Sequence, residues 1–91
     1  MSESLNISPT PQDFEVTYSL DCQGLLCPLP IYKASMAMKE LSPGQVLEIV
    51  CTDPGSLEDF PAFARQGGHQ LLSSHEADGR QTFRLLKGSP S

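Results

Sequence analysis

Cys27 stands in the run Gly24-Leu25-Leu26-Cys27-Pro28-Leu29-Pro30, a thiol followed by two prolines at the start of a stretch with helical periodicity. Proline is tolerated in the first turn of a helix because the amide hydrogen it lacks would have no intrahelical partner there. A helix is therefore expected to begin at this point and to run over 28–41. With Cys27 as its N-cap, the free amides of Leu29 and Ile31 and the positive end of the helix dipole would lie near the sulfur. Both favour the anion, and thiols at helix N-termini titrate at about 3.5–7.5 rather than near 8.5. The residues predict a nucleophilic cysteine; the competing description is a small apolar cap in a stiffened turn.

The other groups with chemical potential fit structural roles more easily. Cys22 makes a Cys-x4-Cys pair with Cys27 and reads as a loop residue that could resolve an oxidised Cys27 as a disulfide or accept its sulfur. Cys51 alternates with core positions, which predicts a buried and inert thiol. Paired zinc-ligand spacings are missing, so no metal is expected. His69 and His75 fall at the start and end of one strand, and no base partner for Cys27 can be named. Asp53 and Asp59 read as turn and cap residues. Asp21 is near enough in sequence for its charge to oppose the dipole at Cys27.

These groups need elements to hold them. Residues 14–20 alternate apolar with polar at period two, as a half-buried strand does, and 21–26 turn the chain with Gly24 free to take a positive φ. At 100° per residue, Ile31, Ala34, Ser35, Met38 and Leu41 share the arc of the first helix that should face a sheet, and Ser42-Pro43-Gly44 stops it. Residues 46–52 read as a central strand with Leu47, Ile49 and Cys51 on one face. Asp53-Pro54-Gly55-Ser56 turns into a second helix with Leu57, Phe60, Phe63 and Ala64 on one face. Pro61 suggests that this helix starts only near Asp59, with Asp59 as its cap, and Gly67-Gly68 ends it. Strands over 69–75 and 81–87 flank the hairpin signal Asp78-Gly79. The order βαβαββ predicts an α/β (α+β) two-layer sandwich, a four-stranded mixed sheet with two helices on one face.

At 91 residues the chain has room for one domain, 14–88, after a polar segment, 1–13, expected to be a flexible arm. The net charge of −5 opposes direct nucleic-acid binding, and no apolar run approaches the ~18 residues of a membrane span. The polar start lacks the basic opening of a leader peptide, and three cysteines, an odd number, argue for free thiols. A cytoplasmic monomer without membrane contact is the expectation.

Leu20-Asp21, Gly24-Leu25, Cys27-Pro28-Leu29-Pro30, Gly44, Asp53-Pro54, Asp59-Phe60-Pro61 and Gly68-His69 resemble, in order and spacing, the TusA/SirA-like family of sulfur carrier proteins, over about residues 16–87. The resemblance implies a fold similar to the C-terminal domain of translation initiation factor three. It also implies that Cys27 carries sulfur as a covalent persulfide, with no other cofactor, and that Asp21, Gly24, Pro28 and Pro30 shape the site. The implied partners are a cysteine desulfurase or rhodanese-type donor and a downstream sulfur-acceptor protein. tRNA thiolation, cofactor sulfur delivery and sulfur oxidation are the implied routes; Leu29, where some tRNA-pathway members carry an acidic residue, weakens the first.

On the face of the first helix opposite its core arc, Leu29, Tyr32 and Met36 line up, with Lys33 and Lys39 beside them. This stripe reads as a docking surface that brings a partner's cysteine to Cys27, or else as a surface covered by the N-terminal arm or the second helix. A different class of function is a regulatory or adaptor module that binds a protein partner through the Cys27 surface without moving sulfur. An RNA binder of the initiation-factor kind is opposed by the acidic balance.

Overall fold

The computed structural model describes residues 15–88. The arm expected over 1–13 lies outside them. The element order is β1 (Tyr18–Cys22), α1 (Leu29–Glu40), β2 (Val46–Cys51), α2 (Ser56–Gly67), β3 (Gln70–Ala77) and β4 (Arg80–Leu86). The sheet runs β1-β2-β4-β3, with β1 parallel to β2 and the other pairs antiparallel. Leu47, Ile49, Cys51, Phe83 and Leu85 on one sheet face meet Ala34 and Met38 of α1 and Phe60 and Ala64 of α2 in a single core. This is the expected two-layer sandwich with both helices on one face.

Parallel pairing of β1 with β2 matters most for function, because it sends the loops after both strands to the same end of the sheet. The β1 register runs from Tyr18↔Leu47 to Cys22↔Cys51. The first strand therefore lies later in the sequence than 14–20. Asp21 and Cys22, expected in the turn, continue the strand, because the core face that Leu20 begins extends through Cys22 to pair with Cys51.

Helix α2 also departs from expectation. It begins at Ser56, not near Asp59, because the Asp53-Pro54-Gly55 turn nucleates it: the amides of Ser56, Leu57 and Glu58 donate to the carbonyls of Asp53, Pro54 and Gly55 at 2.9, 3.1 and 3.1 Å. Pro61 then sits inside the helix, where it removes one backbone bond without ending it. The earlier start leaves Leu57 exposed and puts Asp59 in the first turn rather than at the cap. At the other end Gly68 takes φ +73°, the left-handed conformation that closes a helix cheaply in glycine. In the hairpin, Asp78 and Gly79 both have positive φ, the requirement of a two-residue turn that follows strand twist.

Candidate functional site

Two loops form the site, and backbone amides captured by side chains tie them together. After β1, Gly24, with φ +82°, donates its N–H to Thr52 Oγ1 at 2.8 Å. The Cys27 N–H donates to Asp53 Oδ2 at 2.8 Å, while Asp53 Oδ1 accepts from Gly55 at 3.2 Å within its own turn. Asp53 thus spans both loops with one carboxylate. Beneath it lies Gln81, a fully buried polar side chain of β4. With its amide nitrogen turned inward, Gln81 donates to the carbonyls of Cys51 and Asp53 at 3.1 and 3.2 Å, fixing the start of the β2–α2 loop. A buried amide without such partners would be costly, so Gln81 anchors the site from the core side.

Cys27 itself is exposed at the rim, and its Sγ donates to Asp59 Oδ2 at 3.2 Å. The first turn of α2 supplies that carboxylate from 32 residues away in sequence. The environment raises the Cys27 pKa, first through the hydrogen bond to Asp59, then through desolvation and the charges of Asp59 and Asp53. This corrects the expectation of a thiolate favoured by a helix N-terminus. The cap of α1 is Pro28, not Cys27, and the Leu29 amide donates to Leu26 O at 2.9 Å, so it is not free for the sulfur. Two carboxylates therefore push the thiol pKa up, and Cys27 Sγ has a hydrogen-bond acceptor already in place.

The remaining residues singled out in the sequence divide in four. Asp21 accepts from the Gln23 backbone and side chain at 3.0 and 3.1 Å, a local turn contact, and the carboxylates acting on Cys27 are those of Asp53 and Asp59 instead. Pro30 is buried in the first turn of α1, and the Cys27–Pro28 peptide bond is cis. Cys22 is no loop residue: it ends β1, is fully buried, and lies against Cys51. Burial first, and then Cys51, push its pKa to about 11. Cys51 is likewise buried, with Ser56 against its thiol. Leu29, Tyr32 and Met36 are exposed on α1, and Lys33 with them; α2 does not cover them. Leu26, exposed at 71%, extends the same apolar surface to the residue beside Cys27.

Sequence reasoning missed Asp59 as the partner of the thiol and Gln81 as its support. A signal for Asp59 was present, because loops following adjacent parallel strands converge at one sheet end. Nothing in the sequence distinguishes Gln81 from a solvated strand residue.

Asp59→Asn is expected to lower the Cys27 pKa and to move its alkylation profile toward lower pH. A tenfold gain in thiolate is partly offset by weaker intrinsic nucleophilicity, leaving a rise of roughly threefold per tenfold at neutral pH. Iodoacetamide rates measured from pH 6 to 10 (about that range) check this; an unchanged profile would show that Asp59 does not govern the thiol.

Among the described residues no helix is long and apolar enough to cross a membrane, and no three metal-ligating side chains converge. The family model described as sulfurtransferase TusA matches residues 18–87. The chain is 48% identical over 68 residues to the sulfur carrier protein TusA of Allochromatium vinosum, covering 75% of this chain and 90% of that one. A putative sulfur carrier protein of Bacillus subtilis, YrkI, is 42% identical over 69 residues, 76% of this chain and 92% of its own. The crystal structure of a SirA-like protein from Desulfitobacterium hafniense superposes with a TM-score of 0.71 at 25% identity, covering 80% of this chain and all of that one.

Proposed function

The chain belongs to the TusA family, a family of sulfur carriers, and from that premise we propose that it holds sulfur as a persulfide on Cys27 and passes it from a donor protein to an acceptor. The observation that carries this reading is an exposed Cys27 Sγ bonded to Asp59 Oδ2 at 3.2 Å on the rim of the sheet. A carrier needs its sulfur accessible to two partners in turn, and a rim position gives that access.

The exchange conserves oxidation state overall. Cys27 Sγ attacks the outer sulfur of a persulfidated donor cysteine, the donor S–S bond breaks as the Cys27 S–S bond forms, and the donor cysteine leaves as a thiolate. The thiol proton of Cys27 passes by way of Asp59 to that leaving group. Delivery repeats the exchange: an acceptor thiolate takes the outer sulfur, and Cys27 leaves as thiolate and recovers a proton. Asp53 keeps the Cys27 backbone in register with Asp59 through both steps. The moving sulfur is cargo, so no resident cofactor enters the scheme.

The donor fits a cysteine desulfurase or rhodanese-type protein, and the acceptor is a downstream thiol protein in tRNA thiolation, cofactor sulfur delivery or sulfur oxidation. A reducing cytoplasm would keep the exposed Cys27 thiol free for this work. Sulfur-35 from labelled cysteine, supplied through a desulfurase, should appear on the chain and leave it when an excess of acceptor thiol is added. A chain that binds the desulfurase yet never acquires label would instead be an adaptor.

A further inference from the structure

The carboxylates of Asp53 and Asp59 converge beside Cys27. Asp59 Oδ2 accepts from Sγ at 3.2 Å, and Asp53 Oδ2 accepts from the Cys27 N–H at 2.8 Å. A β-carbon built on Gly55 would lie 3.7 Å from each Asp53 carboxylate oxygen and 3.8 Å from Asp59 Oδ2. The two side chains therefore border one small space, which the glycine leaves unfilled. Among the described residues no cation balances them: the salt bridge joins Arg84 to Glu48, on the strand positions that alternate with the core. Lys33 of α1 acts on Cys22, whereas the charges that act on Cys27 are those of Asp59 and Asp53. Asp21 of β1 is engaged by Gln23.

Loading with sulfur changes what these groups meet. Once Sγ is bonded to a second sulfur it has no proton, and Asp59 Oδ2 loses its donor; among the described residues Cys27 is the only side chain that donates to it. The outer sulfur lies one bond of about 2.05 Å from Sγ, so rotation of the Cys27 side chain brings an S–H on it to the same oxygen. The protonation of that sulfur decides its chemistry. As S–H it is open to attack by a thiolate, whereas as S⁻ it repels a thiolate and is itself a nucleophile. A persulfide is a stronger acid than its parent thiol, so a carrier that must give its outer sulfur away has reason to oppose ionisation there.

We propose that Asp59, backed by Asp53, holds the outer sulfur of loaded Cys27 in its protonated, electrophilic form, which makes Asp59 a catalytic residue for sulfur delivery. The acceptor thiolate attacks the outer sulfur, the Cys27 S–S bond breaks with its electron pair left on Sγ, and the proton travels with the outer sulfur to the acceptor. The same carboxylates make Cys27 a slower leaving group, but only part of the charge has reached Sγ in the transition state, so the gain in the protonated form outweighs that loss. The inference rests on the persulfide reading of Cys27.

The test loads the reduced chain from inorganic polysulfide, whose S–S bond breaks as Cys27 takes one sulfur and a shorter polysulfide leaves. Intact mass, beside Cys27→Ser, counts the sulfur gained. Two neutral reagents, which the carboxylates do not repel, then read the outer sulfur from pH 6 to 10 (about that range). Tris(hydroxypropyl)phosphine attacks the S–H form and leaves as its phosphine sulfide, while Cys27 recovers the proton as a thiol. Iodoacetamide alkylates the S⁻ form with loss of iodide. In the wild type the phosphine rate should hold through neutral pH and fall as alkylation rises. Asp59→Asn should move both midpoints about one pH unit lower. Between the two midpoints the variant is then slower with the phosphine and faster with iodoacetamide, and comparing chains at one pH cancels the reagents' own ionisation. Asp59→Glu, which keeps the charge, should stay near the wild type. Asp53→Asn should shift the midpoints less and in the same direction, and it carries the test if Asp59→Asn does not fold.

Unchanged midpoints in the asparagine variants overturn the proposal. So do rates that rise together with both reagents, the result of a merely loosened loop. Loading from a desulfurase is read separately. A chain that takes sulfur from polysulfide but from no donor protein overturns the carrier reading and leaves the carboxylate effect standing, while loading from a donor with unshifted midpoints does the reverse. A chain that takes no sulfur even from polysulfide overturns both.

Discussion

Cys27→Ser is expected to acquire no sulfur from any donor while melting within a few degrees of the wild type. The two halves of this result have separate causes. Serine offers an oxygen where sulfur–sulfur bond formation needs a thiolate, so uptake should fall to background rather than decline by degrees. The Cys27 side chain is exposed and outside the core cluster, and its one hydrogen bond, to Asp59 Oδ2, can be made by a hydroxyl. Exposed positions of this kind change stability by about 0.5 kcal/mol or less. Cys22→Ser should behave in the opposite way, keeping Cys27 available for sulfur but placing a hydroxyl in the fully buried position beside Cys51. Labelled-sulfur uptake and thermal melts on the two variants separate these effects. Uptake that survives Cys27→Ser and vanishes in Cys22→Ser would move the carrier site into the core.

Phe60→Ala is expected to cost about 3–5 kcal/mol, a large share of the stability of a small domain. Phe60 is fully buried, stacks on Phe83 with ring centroids 4.8 Å apart, and meets Phe63 edge-on at 6.1 Å. Its removal leaves a cavity between α2 and β4 as well as the lost transfer energy. In a domain of this size each 1 kcal/mol shifts the melting temperature by about 4–8 °C, so a fall of tens of degrees should follow. Phe60 also adjoins Asp59, and loosening the first turn of α2 should detach the carboxylate from the thiol. Cys27 alkylation is therefore expected to quicken in Phe60→Ala below its melting transition. Urea melts give the stability change, and a loss under 1 kcal/mol (about a cap's worth) would contradict the packing account.

The parts of this molecule legible in the sequence are those governed by periodicity and turn chemistry. Leu47, Ile49 and Cys51 announced the core face of β2, and Asp78-Gly79 the hairpin, because strand alternation and positive φ leave local marks. Cys22 was misplaced because Asp21 and Gln23 around it suit a turn, while the pairing with β2 that carries the strand onward is a property of two segments. Asp59 was misplaced for a similar reason. Pro61 argued for a late helix start, but the Asp53-Pro54-Gly55 turn begins the helix earlier and so brings Asp59 round to Cys27. The expectation of a favoured thiolate came from placing Cys27 at the cap of α1, a position that Pro28 holds. Local sequence displayed the prolines beside the thiol, whereas the carboxylates that act on it arrive from the loop after the neighbouring strand.

The central claim is that the sulfur resides on Cys27 as a persulfide, and intact mass tests it most directly. Reduced protein incubated with a cysteine desulfurase, cysteine and pyridoxal phosphate, beside Cys27→Ser, should gain the mass of about one sulfur atom that is lost again on reduction. The gain should map to the peptide containing Cys27 and be absent from the variant. A wild-type mass that stays unchanged with several donors, although Cys27 remains open to alkylation, would contradict the account and leave a protein that binds partners without carrying sulfur.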